Sequence, residues 1–133
     1  MYESVFRPGL FEGSVVIVSG GGSGIGRCIA HELASLGAAV ALVGRTESKL
    51  HTVREELVAA GATASTHAAD IRDEERVEQV MKDILQEHGK ITGLVNNAGG
   101  QFASPAAHIR LKGWKAVLET NLTGTFIMSR AAY

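Results

Sequence analysis

Short apolar runs alternate with longer stretches in which apolar residues recur every three or four positions, a pattern that predicts strand and helix in turn along the whole chain. The first predicted strand covers about Ser14 to Val18, and the helix after it carries Ile25, Ile29, Leu33 and Leu36 on one face before Gly37 closes it. Ala38 to Val43 is uninterrupted apolar sequence, as expected of a strand buried on both faces. A helix from about Glu47 to Ala60 then aligns Leu50, Val53 and Leu57 and stops at Gly61. A weaker third strand lies in Thr63 to Ala69, with Asp70-Ile71 marking its end. Asp73 is placed to cap the next helix, whose Val77, Val80, Met81, Ile84 and Leu85 form the clearest amphipathic stripe before Gly89. The fourth strand, Ile91 to Val95, runs into Asn96-Asn97-Ala98-Gly99-Gly100, and from about Ser104 two helical segments meet near Asn121.

Repeated strand–helix–strand units predict an α/β domain with a doubly wound parallel sheet. Right-handed crossovers put the strands in the order 3-2-1-4, with ligands above their carboxyl ends. No linker or second domain is visible in residues 1–133. Strand four would then be a hydrophobic edge of Ile91, Leu94 and Val95 without the charges or proline that usually protect one. The helical pattern also runs to Tyr133 without a cap, so the expectation is a truncated chain, the N-terminal half of a larger sheet.

Composition narrows the function classes. With 133 residues, 45% hydrophobic, and a net charge of −1, the chain reads as one soluble globular domain. Its mixed charges give no electrostatic footprint for nucleic acid or for a membrane surface, leaving a small-molecule substrate as the better expectation. The single cysteine, Cys28, fits a reducing compartment and is expected to pack, and Met1-Tyr2-Glu3-Ser4-Val5 lacks the layout of a secretory signal. The cytoplasm is the expected location. His31, His51, His67, His88 and His108 are scattered without a shared helical pair, so no metal site is expected.

Ser19-Gly20-Gly21-Gly22-Ser23-Gly24-Ile25-Gly26 joins the first strand to the first helix, which is a place to hold a pyrophosphate. Gly20 suits a sharp turn, Gly24 lets the backbone approach a phosphate, and Gly26 lets the helix press on the strand. The helix's unpaired N–H groups and its dipole then face the anion. A merely flexible turn is the plainer alternative. Ser23 suits either a hydroxyl donor to the phosphates or the helix N-cap.

These positions together resemble the short-chain dehydrogenase/reductase family: Ser19-Gly20-x-x-x-Gly24-Ile25-Gly26, Gly44-Arg45, Asp70-Ile71, Asn96-Asn97-Ala98-Gly99 and Thr120-Asn121 fall at that family's spacings. The resemblance implies a Rossmann sheet and an oxidoreductase that moves a hydride to or from a nicotinamide dinucleotide. The glycine turn, Gly20, Gly21, Gly22 and Gly24 included, would meet the pyrophosphate. Gly44 stands where NAD-preferring enzymes usually offer an acid, and Arg45 would pair with a 2′-phosphate, which favours NADP(H) over NAD(H); a solvated surface arginine is the alternative. Asp70 would accept from the adenine amine and the Ile71 backbone would read the ring edge, unless Asp70 is only a turn residue. Asn97, Ala98 and Gly99 would take the nicotinamide-side ribose. Asn121 resembles the asparagine of the catalytic tetrad, holding a helix carbonyl and a water, against a plain kink or cap.

The tetrad's serine, tyrosine and lysine are not found. Tyr133 has no lysine after it, and Ser129 reads as a helix residue. General acid–base help of this kind contributes roughly 10² to 10⁴ in rate, so the 133 residues alone are expected to bind nucleotide and be inactive. The run from Asn96 through Phe102, with Gly113-Trp114 and Leu118 to Phe126, resembles the trans-2-enoyl-CoA and 2,4-dienoyl-CoA reductase branch, and is compatible with terpenoid-alcohol dehydrogenases and 3-oxoacyl reductases. An acyl-CoA or lipid-like substrate follows by resemblance, as does a homotetramer or homodimer built through the helix bearing Leu122, Phe126, Ile127 and Met128. A dinucleotide-binding sensor without catalysis, or a flavin or S-adenosylmethionine site, are the competing classes.

Overall fold

The computed structural model describes residues 3–133, so the first two positions of the Met1–Val5 segment lie outside the described residues. Four parallel strands, β1 (Val15–Ser19), β2 (Ala39–Gly44), β3 (Ala64–Ala68) and β4 (Gly93–Val95), form one sheet in the order β3-β2-β1-β4. The helices are α1 (Gly24–Ser35), α2 (Glu47–Ala59), α3 (Glu74–His88), α4 (Leu111–Leu118) and α5 (Thr125–Ala132). The expected topology is the observed one.

Successive strand residues point to opposite faces, and both faces are covered. Val15, Ile17, Ala41 and Val43 pack with Val77, Val80, Met81 and Ile84 of α3 and Ile127 and Met128 of α5. Val16, Val18, Val40 and Leu42 pack with Ala30 of α1 and Leu50, Val53 and Leu57 of α2. Gly37, Gly61 and Gly89 each take positive φ just past their helices, and Asp73 caps α3 by accepting from the Arg76 N–H at 3.0 Å. Arg54 and Arg76 donate to the Ala64 and Ala68 carbonyls, blunting the outer edge of β3.

Several expectations are corrected. Ile25 is 74% exposed rather than core-facing, because the face of α1 against the sheet is made by Gly26 and Ala30. Cys28 is exposed rather than packed, on the outward side of the same helix. Leu85, 47% exposed, lies beside the buried stripe of α3. β4 begins at Gly93, two residues later than expected; just before it the Thr92 backbone N–H donates to the Val15 carbonyl at 2.9 Å, and the Thr92 hydroxyl accepts the Val15 N–H at 2.8 Å and donates to the same carbonyl. Leu122 and Phe126 face outward while Ile127 and Met128 are buried, so the four do not share one face.

One buried polar cluster has a pH consequence. On the α3 face of β3 the Ser65 hydroxyl lies 2.9 Å from His67 Nε2 and 2.8 Å from His88 Nε2, and its single proton serves only one ring. Burial pushes the His67 pKa below its ordinary value; Glu87 and Asp83 oppose that shift, and His88 and Arg76 reinforce it. The folded state therefore prefers neutral His67, so stability is full above the unfolded pKa of about 6.5 and falls as pH drops below it. Urea midpoints are expected to decline from pH 7 to pH 5 in the unaltered chain and to decline less in His67→Gln. Parallel profiles would refute this assignment.

Candidate functional site

The carboxyl ends of the strands converge on a cavity of about 420 Å³. Of the residues singled out in the sequence, Gly20, Gly22, Ser23, Gly24, Ile25, Arg45, Asp70, Ile71, Asn97, Ala98 and Gly99 line it. Ser19, Gly21, Gly26 and Asn121 do not; they lie behind the lining. Gly44 and Thr120, quoted within the same motifs, also line the cavity, as do Thr46, Lys49 and Arg72 without having been singled out.

The glycine turn forms one wall. The Gly20 N–H donates to the Val43 carbonyl at 2.8 Å, wrapping the turn over β2. Gly24 has φ +53°, and a Cβ built there would meet no atom within 4 Å, so its face is open to the cavity. Gly26 is the opposite case: a Cβ there would collide with the Gly20 carbonyl and lie 2.5 Å from Asn97 Nδ2. Ser23 occupies the N-cap position in extended backbone, yet its side chain makes no capping bond and its hydroxyl is uncommitted. The first-turn N–H groups of α1 have no intrahelical acceptor, and no acidic side chain stands in that turn, so the helix end is a positive pole beside the open glycine face.

Cationic side chains line the second wall. Arg45 follows β2 and makes no ion pair or hydrogen bond among the described residues. Lys49, in the first turn of α2, lies over the glycine turn, its Cβ 3.1 Å from the Cβ position of Gly22. Asp70 is engaged by Arg72 through both carboxylate oxygens, at 3.0 and 2.6 Å. Hydrogen bonding and charge from Arg72, with a smaller contribution from Arg45, hold the Asp70 pKa at about 2. Ile71 is buried, its side chain against Gly124.

The third wall is tied to the sheet by side chains. The buried Ser19 hydroxyl accepts from the Asn97 and Ala98 N–H groups at 3.1 and 3.0 Å. Asn97 Nδ2 donates to the Ser19 and Gly20 carbonyls at 3.0 and 3.4 Å, which joins β1 to the end of β4. Asn121 lies in a π-helical stretch, Glu119–Gly124, between α4 and α5. Its Oδ1 accepts from the Gly100 N–H and its Nδ2 donates to the Gly100 carbonyl, both at 2.8 Å, so the carbonyl it holds belongs to a loop and not, as expected, to a helix. Such single-turn π segments interrupt helices frequently at functional positions. Among the described residues no three His, Cys, Asp or Glu side chains are placed to share a metal ion, and no helix is long and apolar enough to cross a membrane.

A dinucleotide fits this wall set: an open glycine face beside a helix N-terminus suits a pyrophosphate, and an unpaired arginine at the end of β2 suits a further phosphate.

Residues 14–133 match the family model described as short chain dehydrogenase. A probable 2,4-dienoyl-CoA reductase of Bacillus subtilis is 35% identical over 121 residues, covering 91% of this chain and 48% of that protein. The solved structure of a citronellol catabolism dehydrogenase from Pseudomonas aeruginosa PAO1 is 55% identical with a TM-score of 0.93, over 98% of this chain and 54% of that one. A metagenomic short-chain oxidoreductase in complex with NADP is 38% identical with a TM-score of 0.83, over 91% of this chain and 55% of that one. The chain spans about half the length of the curated relatives it matches.

Proposed function

This chain belongs to the short-chain dehydrogenase family, and we propose that it supplies the NADP(H)-binding part of an oxidoreductase acting on a carbonyl, an alcohol or an enoyl-CoA-type substrate. The observation that carries the reading is the meeting, in one cavity, of the open Gly24 face, the free end of α1 and the unpaired Arg45. Backbone N–H groups of Gly22, Ser23, Gly24 and Ile25 hold the pyrophosphate, with the Ser23 hydroxyl as a further donor, while Gly20, its N–H committed to the Val43 carbonyl, shapes the turn. Arg45 holds the 2′-phosphate. Asp70 and the Ile71 backbone take the adenine, and Asn97, Ala98 and Gly99 face the nicotinamide-side ribose. Ser19, Gly21 and Gly26 build the cradle from behind, and Asn121 fixes the loop at Gly100. The bound nicotinamide supplies the hydride chemistry. The 133 residues contain no Tyr-x-x-x-Lys, so by themselves they bind without turning over.

Similarity to a citronellol catabolism dehydrogenase and to a 2,4-dienoyl-CoA reductase supports a lipid-like substrate, either an acyclic terpenoid alcohol or an acyl-CoA. We place the protein in the cytoplasm, assembled as a homodimer or homotetramer through the outward face carrying Leu122 and Phe126. Light scattering of the complete protein would overturn the assembly by showing a lone monomer.

The cofactor assignment is tested by titrating NADPH, NADH, FAD and S-adenosylmethionine against the chain. NADPH is expected to bind tightest. Arg45→Asp is expected to weaken NADPH at least tenfold, which is about 1.4 kcal/mol, because a charge-assisted phosphate contact becomes a repulsive one, while NADH affinity stays within about twofold. An unchanged NADPH affinity in that variant removes the 2′-phosphate assignment.

A further inference from the structure

We propose that Arg72 is a positioning residue that makes Asp70 a reader of the purine 6-amino group; the inference rests on the dinucleotide reading above. Asp70 Oδ1 accepts the Arg72 backbone N–H at 3.0 Å and its Nε at 3.0 Å; Oδ2 accepts Nη2 at 2.6 Å and, at longer range, Nε at 3.2 Å. A carboxylate oxygen offers about two lone-pair directions. Both of those on Oδ1 are therefore used within the loop, and one on Oδ2 remains in a carboxylate that lines the cavity. Ile71 between the two residues is buried against Gly124, so the backbone that carries the pair is anchored to the core.

The consequence is selectivity of a particular kind. A pinned, ionised carboxylate accepts and never donates, so it favours a base presenting an N–H at that position and opposes one presenting a carbonyl. Adenine has a 6-amino donor, whereas hypoxanthine has a 6-oxo acceptor and is otherwise nearly the same shape. Without Arg72 the carboxylate rotates freely and is better hydrated, and the distinction weakens. The guanidinium of Arg72 is 39% exposed, and partly exposed ion pairs contribute little to stability, so its removal leaves the fold in place.

The experiment measures dissociation constants of NADPH and its hypoxanthine analogue, deamino-NADPH, for the unaltered chain, Arg72→Gln, Arg72→Lys and Asp70→Asn. A hydrogen bond to a charged group corresponds to roughly ten- to a hundredfold preference for adenine in the unaltered chain. Arg72→Gln is expected to bring that ratio to within about threefold of unity. Arg72→Lys keeps the charge but not the planar fork, and is expected to recover only part of it. Asp70→Asn abolishes the preference and tests the same contact even if an Arg72 variant fails to fold. Binding of both nucleotides with a ratio that Arg72→Gln leaves unchanged overturns this inference alone. Failure of both nucleotides to bind the unaltered chain overturns the dinucleotide reading and the inference with it.

Discussion

Gly26→Ala is expected to lower the unfolding free energy by at least about 2 kcal/mol, a loss visible as a shifted urea midpoint. The added methyl would collide with the Gly20 carbonyl and stand 2.5 Å from Asn97 Nδ2, neither of which is the loose end of a flexible side chain. Overpacking of this kind costs about 3 kcal/mol, and the better helix propensity of alanine returns only about 1 kcal/mol. The clash wins. Gly24→Ala, two residues away, is expected to behave in the opposite sense. Its φ of +53° makes a side chain strained by about 1 kcal/mol, yet nothing lies within 4 Å, so the fold persists. The methyl instead occupies the open face proposed for the pyrophosphate, and NADPH affinity should fall tenfold or more. A stable Gly26→Ala chain, or a Gly24→Ala chain that binds as tightly as the parent, would show that these two glycines do not divide structure from binding in this way.

That division explains what the sequence made legible. Strand order followed from apolar runs long enough to bury both faces, and β1 and β2 are buried almost throughout. The cavity followed from glycines and polar residues at the ends of those runs. The inward face of α1 was misread because close approach selects smallness: Gly26 and Ala30 carry almost no hydrophobic signal, whereas Ile25, which does, faces out over the cavity. The π-helical stretch at Asn121 has no compositional signal because an inserted residue shifts the helical register without changing composition, whereas Phe126 parts from Ile127 and Met128 simply because successive residues of α5 point about 100° apart. Lys49 had a signal, since it lies four residues after Arg45 in the first turn of α2 on the cavity side. Arg72 had none. A carboxylate and an arginine two residues apart meet only in the particular turn that follows β3.

Ser19→Ala is expected to cost about 2 kcal/mol although it removes one atom that touches no part of the cavity. The Ser19 hydroxyl is fully buried and donates to the Val95 carbonyl at 3.3 Å while accepting from Asn97 and Ala98. The Asn97 N–H keeps a second acceptor in the Val95 carbonyl at 3.1 Å; the Ala98 N–H has no other acceptor among the described residues. Leaving a part-buried donor without its partner outweighs the small net gain of an ordinary hydrogen bond, so the orphaned Ala98 N–H sets the size of the effect. Asn97→Ala loosens the same junction by releasing the Ser19 and Gly20 carbonyls. Because both side chains tie the end of β4 to the end of β1, the double variant is expected to lose less than the sum of the single losses, by more than about 0.5 kcal/mol. NADPH affinity should fall in each single variant as the third wall of the cavity loses its anchor. Strict additivity in the urea cycle would mean that the two side chains act on separate parts of the rim and that the wall is not held as one piece.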